Sequence, residues 1–182
     1  MREILFPRFS LKSFGILLAL TAAGALMSGV YGIIHDQITY SLSPEYFTRF
    51  KFFQFYKVDP GMGERIFAGV IGFLATWWIG AILGWSFGRL SMTKPSFDPH
   101  PTEVIYALIL ALTITAAGGL AGYLYASSRL DQPRDSWDLW KASFQIEDMP
   151  AFHRVGIIHN MGYIGGAVGA VIAGVRLRRK CS

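Results

Sequence analysis

The sequence predicts an all-α integral membrane protein with four transmembrane helices. They form two repeated helix–loop–helix halves, with short interfacial helices in the outer loops. Three observations lead there. Hydrophobic residues fill 52% of the 182 positions and charged residues only 16%, against about 25% charged in an ordinary soluble domain. The apolar residues gather into four long blocks. Two of those blocks share a stretch of sequence. A mean hydropathy of +0.37 excludes a disordered chain and a basic nucleic-acid-binding domain, so no nucleic-acid partner is expected. The single Cys181 excludes an intramolecular disulfide.

The first block, 14–34, has 21 residues without a charge, and the second, 66–88, has 23. The third, 104–126, also has 23, and the fourth, 155–175, has 21, interrupted only by His159 and Asn160. A hydrocarbon core of about 30 Å takes roughly 20 helical residues. Lipid offers no partner to backbone N–H and C=O groups, so such blocks form helices. The first block also fits a cleaved signal peptide, since a basic segment precedes it and Ala23-Gly24-Ala25 resembles a cleavage site. Its length exceeds the usual ~7–15 apolar residues of such a signal, which favours a retained helix.

Orientation follows from Lys and Arg. Arg2, Arg8, Lys12, Arg89, Lys94, Arg176, Arg178, Arg179 and Lys180 lie on the side of the termini, with only Glu3, Asp98 and Glu103 against them, for a net +6. The two longer loops carry eight basic and nine acidic residues, a net −1. Basic density in short segments therefore places both termini in the cytoplasm. The chain is expected in a bacterial inner (plasma) membrane, where the lipid bilayer, with its anionic headgroups, is its first partner.

The repeat rests on Leu18-Ala19-Leu20-Thr21-Ala22-Ala23-Gly24-Ala25-Leu26, which resembles Leu110-Ala111-Leu112-Thr113 followed by Ala116-Ala117-Gly118-Gly119-Leu120. A weaker pair joins the segment from Pro60 to Arg65 with the segment from Pro150 to Arg154. The halves are then 14–88 and 104–175. Chance matching of common membrane residues is the alternative. Each outer loop also predicts an amphipathic interfacial helix. In the first, Ser43 caps and Pro44 opens, and Tyr46, Phe47, Phe50 and Phe53 follow at helical spacing, with Arg49, Lys51 and Lys57 elsewhere around the helix. In the second, Asp135 or Ser136 caps, and Trp137, Trp140 and Phe144 follow.

Small residues recur every four positions, as a close-packed helix face requires. The second helix has Gly72, Thr76, Gly80, Gly84 and Gly88; the fourth has Gly162, Gly166, Ala170 and Gly174, with Gly165, Gly169 and Ala173 alongside. Packing is assigned to Gly72, Gly80, Gly84, Gly162, Gly166 and Gly174. Faces in excess of those a single bundle uses leave room for a homo-oligomer or a partner membrane protein, and Trp77, Trp78 and Trp85 are expected to face lipid or that partner.

Chemistry-bearing residues are few. His159 and Asn160 lie inside a span, where polar groups face a protein interior or water. His159 is expected to point into the bundle, near His35, Asp36 or Glu64. With His153, these five residues are competent ligands for zinc or another divalent metal. Their spacing argues against a shared site: His153 and His159 stand about 240° apart around a helix. A haem between His35 and His159 is a further option without a sequence signature. No phosphate loop, nucleotide fingerprint or nucleophile elbow is present.

Function is thus read as a non-enzymatic assembly or partner-binding component. The alternatives are a small transporter or channel, and a membrane enzyme with a metal or haem at its outer face.

Overall fold

The structure, a computed structural model, describes residues 10–59, 61–92, 98–129 and 137–182. Arg2, Arg8, Lys94, Pro60, the proposed caps Asp135 and Ser136, and the side chain of Trp137 lie outside them. All regular structure among the described residues is helical.

Four long helices dominate: α1 (Leu11–Leu42), α4 (Glu64–Ser91), α5 (Pro101–Arg129) and α7 (Met149–Cys181). Each is long and apolar enough to cross a membrane. At 1.5 Å per residue they run roughly 42–50 Å, beyond the ~30 Å of a hydrocarbon core. Between α1 and α4 lie α2 (Pro44–Tyr46), a π-helical turn (Phe47–Lys51), α3 (Phe52–Gln54) and a 3₁₀ turn (Tyr56–Val58). Between α5 and α7 lies α6 (Trp137–Phe144).

The caps explain where the helices begin. The Ser13 N–H donates to Ser10 Oγ at 3.0 Å to start α1. The Ala151 N–H donates to Asp148 Oδ1 at 3.0 Å to start α7, with Pro150 in its first turn. Gly63 turns the chain into α4 with φ +94°, a conformation that side chains disfavour. Glu64 then sits in the first turn, where the helix dipole favours an acid.

α1 packs chiefly on α4, and α5 on α7, with far thinner contact between the two hairpins. Helices that lie in lipid gain nothing from hiding one apolar face against another, and close backbone packing takes the place of that gain. Glycine makes it possible in the first seam. A Cβ added at Gly32 or Gly72 would run into the other's carbonyl, and the same holds for Gly24 against Gly80. Gly84 lies on the Leu20 carbonyl. Thr76 Oγ1 donates across this seam to the Ser28 carbonyl at 2.7 Å.

In the second hairpin the tight row is not the one headed by Gly162. A Cβ at Gly165 would meet the Ile114 carbonyl at 2.8 Å, and one at Gly169 the Ala111 carbonyl at 2.8 Å. At Gly162 it would meet nothing within 4 Å, and at Gly166 and Gly174 only side chains at 3.5 Å, namely Thr115 and Phe87. Gly174 therefore faces α4, between the hairpins.

Apolar cores sit at both ends. Leu20, Phe87, Val104, Leu108, Ala173 and Leu177 join the hairpins toward the termini. At the loop end, Ala126, Ile146, Met149 and Phe152 pack with Tyr46, Phe50 and Phe144. Ser43 caps α2 as its position suggests, accepting from the Tyr46 N–H at 3.4 Å. The aromatic stripe departs from expectation at its far end. The π turn admits one extra residue, with the Phe52 N–H reaching back to the Phe47 carbonyl. Phe47 and Lys51 are thereby buried while Phe53 is 68% exposed.

Candidate functional site

The π turn delivers Lys51 into the interior between α1 and α7. There the ammonium meets Asp36, one and a half turns before the end of α1, and His159, three turns into α7. All three are buried: Asp36 is 2% exposed, His159 4% and Lys51 7%. Lys51 Nζ donates to Asp36 Oδ2 at 2.8 Å and lies 3.1 Å from His159 Nε2. His159 Nε2 is 3.3 Å from Asp36 Oδ1.

The hydrogen bonds fix the histidine tautomer. His159 Nδ1 lies 2.9 Å from the Val155 carbonyl, which can only accept, so Nδ1 carries the proton. Nε2 is then free to accept from the Lys51 ammonium. In this state Asp36 and Lys51 cancel, and the centre is neutral. Two of the three ammonium protons find acceptors; the Phe47 ring, 5.1 Å from Nζ, offers its face to the remaining charge.

Rings enclose the cluster. Tyr46 stacks on His159, with centroids 5.0 Å apart and planes at 25°. His35 meets His159 edge-on at 4.8 Å and stacks on Tyr31 at 5.7 Å. Burial pushes the Tyr46 hydroxyl above its ordinary range, and the nearby Tyr163 hydroxyl and Asp36 carboxylate add to that. Tyr46 is accordingly a neutral phenol at physiological pH.

The residues singled out from sequence separate into two groups. His35, Asp36 and His159 converge, each offering a ligand atom within 4.8 Å of the others. Glu64 does not join them; it accepts from the Tyr40 hydroxyl at 2.5 Å, and the Arg65 guanidinium lies over the Tyr40 ring. His153 lies six residues before His159, on another face of α7, with its ring near Phe152 at 6.4 Å. Asn160, next to His159 in sequence, is exposed on the outside of α7. The direct edge contact of His35 and His159 leaves no slot between them for a haem plane.

Lys51 is the member that sequence reasoning passed over. One signal was present: it stands four residues after Phe47, and so on the same helical face. A lysine among Phe47, Phe50, Phe52 and Phe53 reads as a solvated charge unless an acid is known to wait inside.

A second acid braces the loop end. The Glu45 carboxylate accepts the backbone N–H groups of Glu147 and Asp148 at 3.0 and 2.8 Å, joining the two interhelix segments. At the other end Asp98 accepts from Lys12 Nζ at 2.5 Å and Ser13 Oγ at 2.6 Å. These bonds hold its carboxyl below the usual range.

No family of known proteins, no curated protein and no solved structure matches this chain.

Proposed function

We propose that this is an integral membrane protein of the bacterial inner membrane acting as a non-enzymatic assembly or partner-binding component. The carrying observation is that three of its buried polar groups satisfy one another: Asp36, Lys51 and His159 meet in a ring-enclosed cluster. Glu45 ties the loop segments together above it. A braced loop end of this kind presents a fixed surface, and the surface left for recognition is the apolar exterior of the helices. Trp77 and Trp78, 41% and 49% exposed, are the anchors on α4, since large aromatic residues dominate binding energy at interfaces.

In this reading both termini are cytoplasmic and the braced end faces outward, as the basic density of the terminal segments argues. The pairing of α1 with α4 and of α5 with α7 supports a duplication of halves 14–88 and 104–175, related about an axis along the membrane normal.

Native mass spectrometry of the chain extracted in mild detergent tests the proposal. The expected result is a complex, with itself or with a partner membrane protein, that Trp77→Ala with Trp78→Ala dissociates while the helical content is unchanged. A solitary monomer would overturn it.

A further inference from the structure

We infer that His35, Asp36 and His159 form a divalent transition-metal site in which the Lys51 ammonium is a built-in competitor for the metal. The inference concerns the same cluster that the partner-binding reading takes as structural, and metal uptake tests it apart from the oligomeric state. It starts from the donor set. Two imidazoles and one carboxylate, from α1 and α7, bring a ligand atom each within 4.8 Å of one another. This mixed nitrogen and oxygen set suits zinc-class ions rather than calcium or magnesium.

The second observation is the orientation of His159. Its Nδ1–H is committed to the Val155 carbonyl at 2.9 Å, so the Nε2 lone pair is aimed into the cluster. A metal-binding histidine is oriented in the same manner, with its other ring nitrogen donating to a carbonyl or carboxylate.

The third is what now occupies the convergence point. Lys51 Nζ touches Asp36 Oδ2 at 2.8 Å and His159 Nε2 at 3.1 Å. It is a monovalent cation held by two atoms that would bind the metal. Ligand atoms around a tetrahedral zinc lie about 3.3 Å apart, given bonds of about 2.0–2.1 Å. The present separations close to that by side-chain rotation once the ammonium leaves. Lys51 can leave, because its charge rides on a flexible four-carbon stem rooted in the π turn. With three protein ligands, the fourth position falls to water.

Cobalt(II) titration of the full chain, purified in detergent and stripped with a chelator, tests this. Wild type should take up one ion per chain, with a visible ligand-field band and a chelator-reversible rise in Tm. His159→Gln should abolish both. Lys51→Met should bind about tenfold or more tightly and show the larger rise in Tm, because no ammonium has to be displaced. His35→Gln, which leaves the ion pair intact, serves as a second ligand variant should His159→Gln fail to fold; it should weaken the band. The inference is overturned by folded wild type that shows neither band nor Tm shift, by a band that survives both histidine changes, or by Lys51→Met binding no more tightly than wild type.

Discussion

Lys51 is the residue on which the cluster turns. Removing it takes the ammonium from the buried Asp36 carboxylate and leaves it only the His159 ring at 3.3 Å, and breaking a buried pair from one side costs about 3–5 kcal/mol. In the absence of metal, Lys51→Met should lose stability by that amount. The double change Asp36→Leu with Lys51→Met should recover most of it, because an apolar pair of similar volume is often neutral or better. Chemical or thermal melts of the three proteins in one detergent check this. Asp98 behaves differently, since it is a surface group. Its carboxyl is held low by Lys12 and Ser13, so its contribution is present above the unfolded carboxylate value of about 3.9. It fades as pH falls through the lower folded value. Wild type and Asp98→Asn should therefore differ in Tm at neutral pH and converge in acid.

At the scale of elements, the two seams predict unequal tolerance of side chains. Gly72→Val would push a side chain into the Gly32 backbone, where carbonyl and helix cannot yield; overpacking of this kind costs about 1–3 kcal/mol or more. Gly162→Ala meets open space and should be neutral, or stabilising by up to about 1 kcal/mol, because alanine favours the helix. Melting the two variants side by side separates a glycine the seam requires from one it does not. The interhelix segments depend on Glu45 in a similar way. Glu45→Ala removes a carboxylate that accepts two backbone N–H groups. The expected loss is about 1–2 kcal/mol, reduced by solvent at this exposed position. Hydrogen exchange should rise at 137–148 and leave α1 and α4 unchanged.

For the whole molecule, the proposed topology is directly testable. A reporter fused after Ser182 should be cytoplasmic, and one inserted in the 137–148 segment should lie outside. The reverse result would invert the assignment made from basic residues. In the proposed membrane placement the helices overrun a bilayer core at both ends, which would set Asp36, Lys51 and His159 toward the edge of the hydrocarbon rather than at its centre, where burial of charge costs most.

Four apolar helices were legible from local sequence, because a charge-free run of about 20 residues has no better fate than a helix in lipid. The Ser43 cap, the close-packing glycines of α4 and an interior His159 were legible too, since each follows from neighbours a few positions away. The glycine row on α7 was not. Two rows of small residues run beside each other there, and only the crossing of α5 decides that Gly165 and Gly169, not Gly162, meet a backbone. The cluster was half legible: a histidine inside an apolar block and a nearby Asp36 were visible, but Glu64 and His153, grouped with them on sequence, turn elsewhere. Lys51 was invisible as a site residue because its burial depends on a π turn and on an acid and an imidazole 15 and 108 residues away. Periodicity thus determined the elements. Which of their polar groups cancel one another was decided only when α1, the π turn and α7 met.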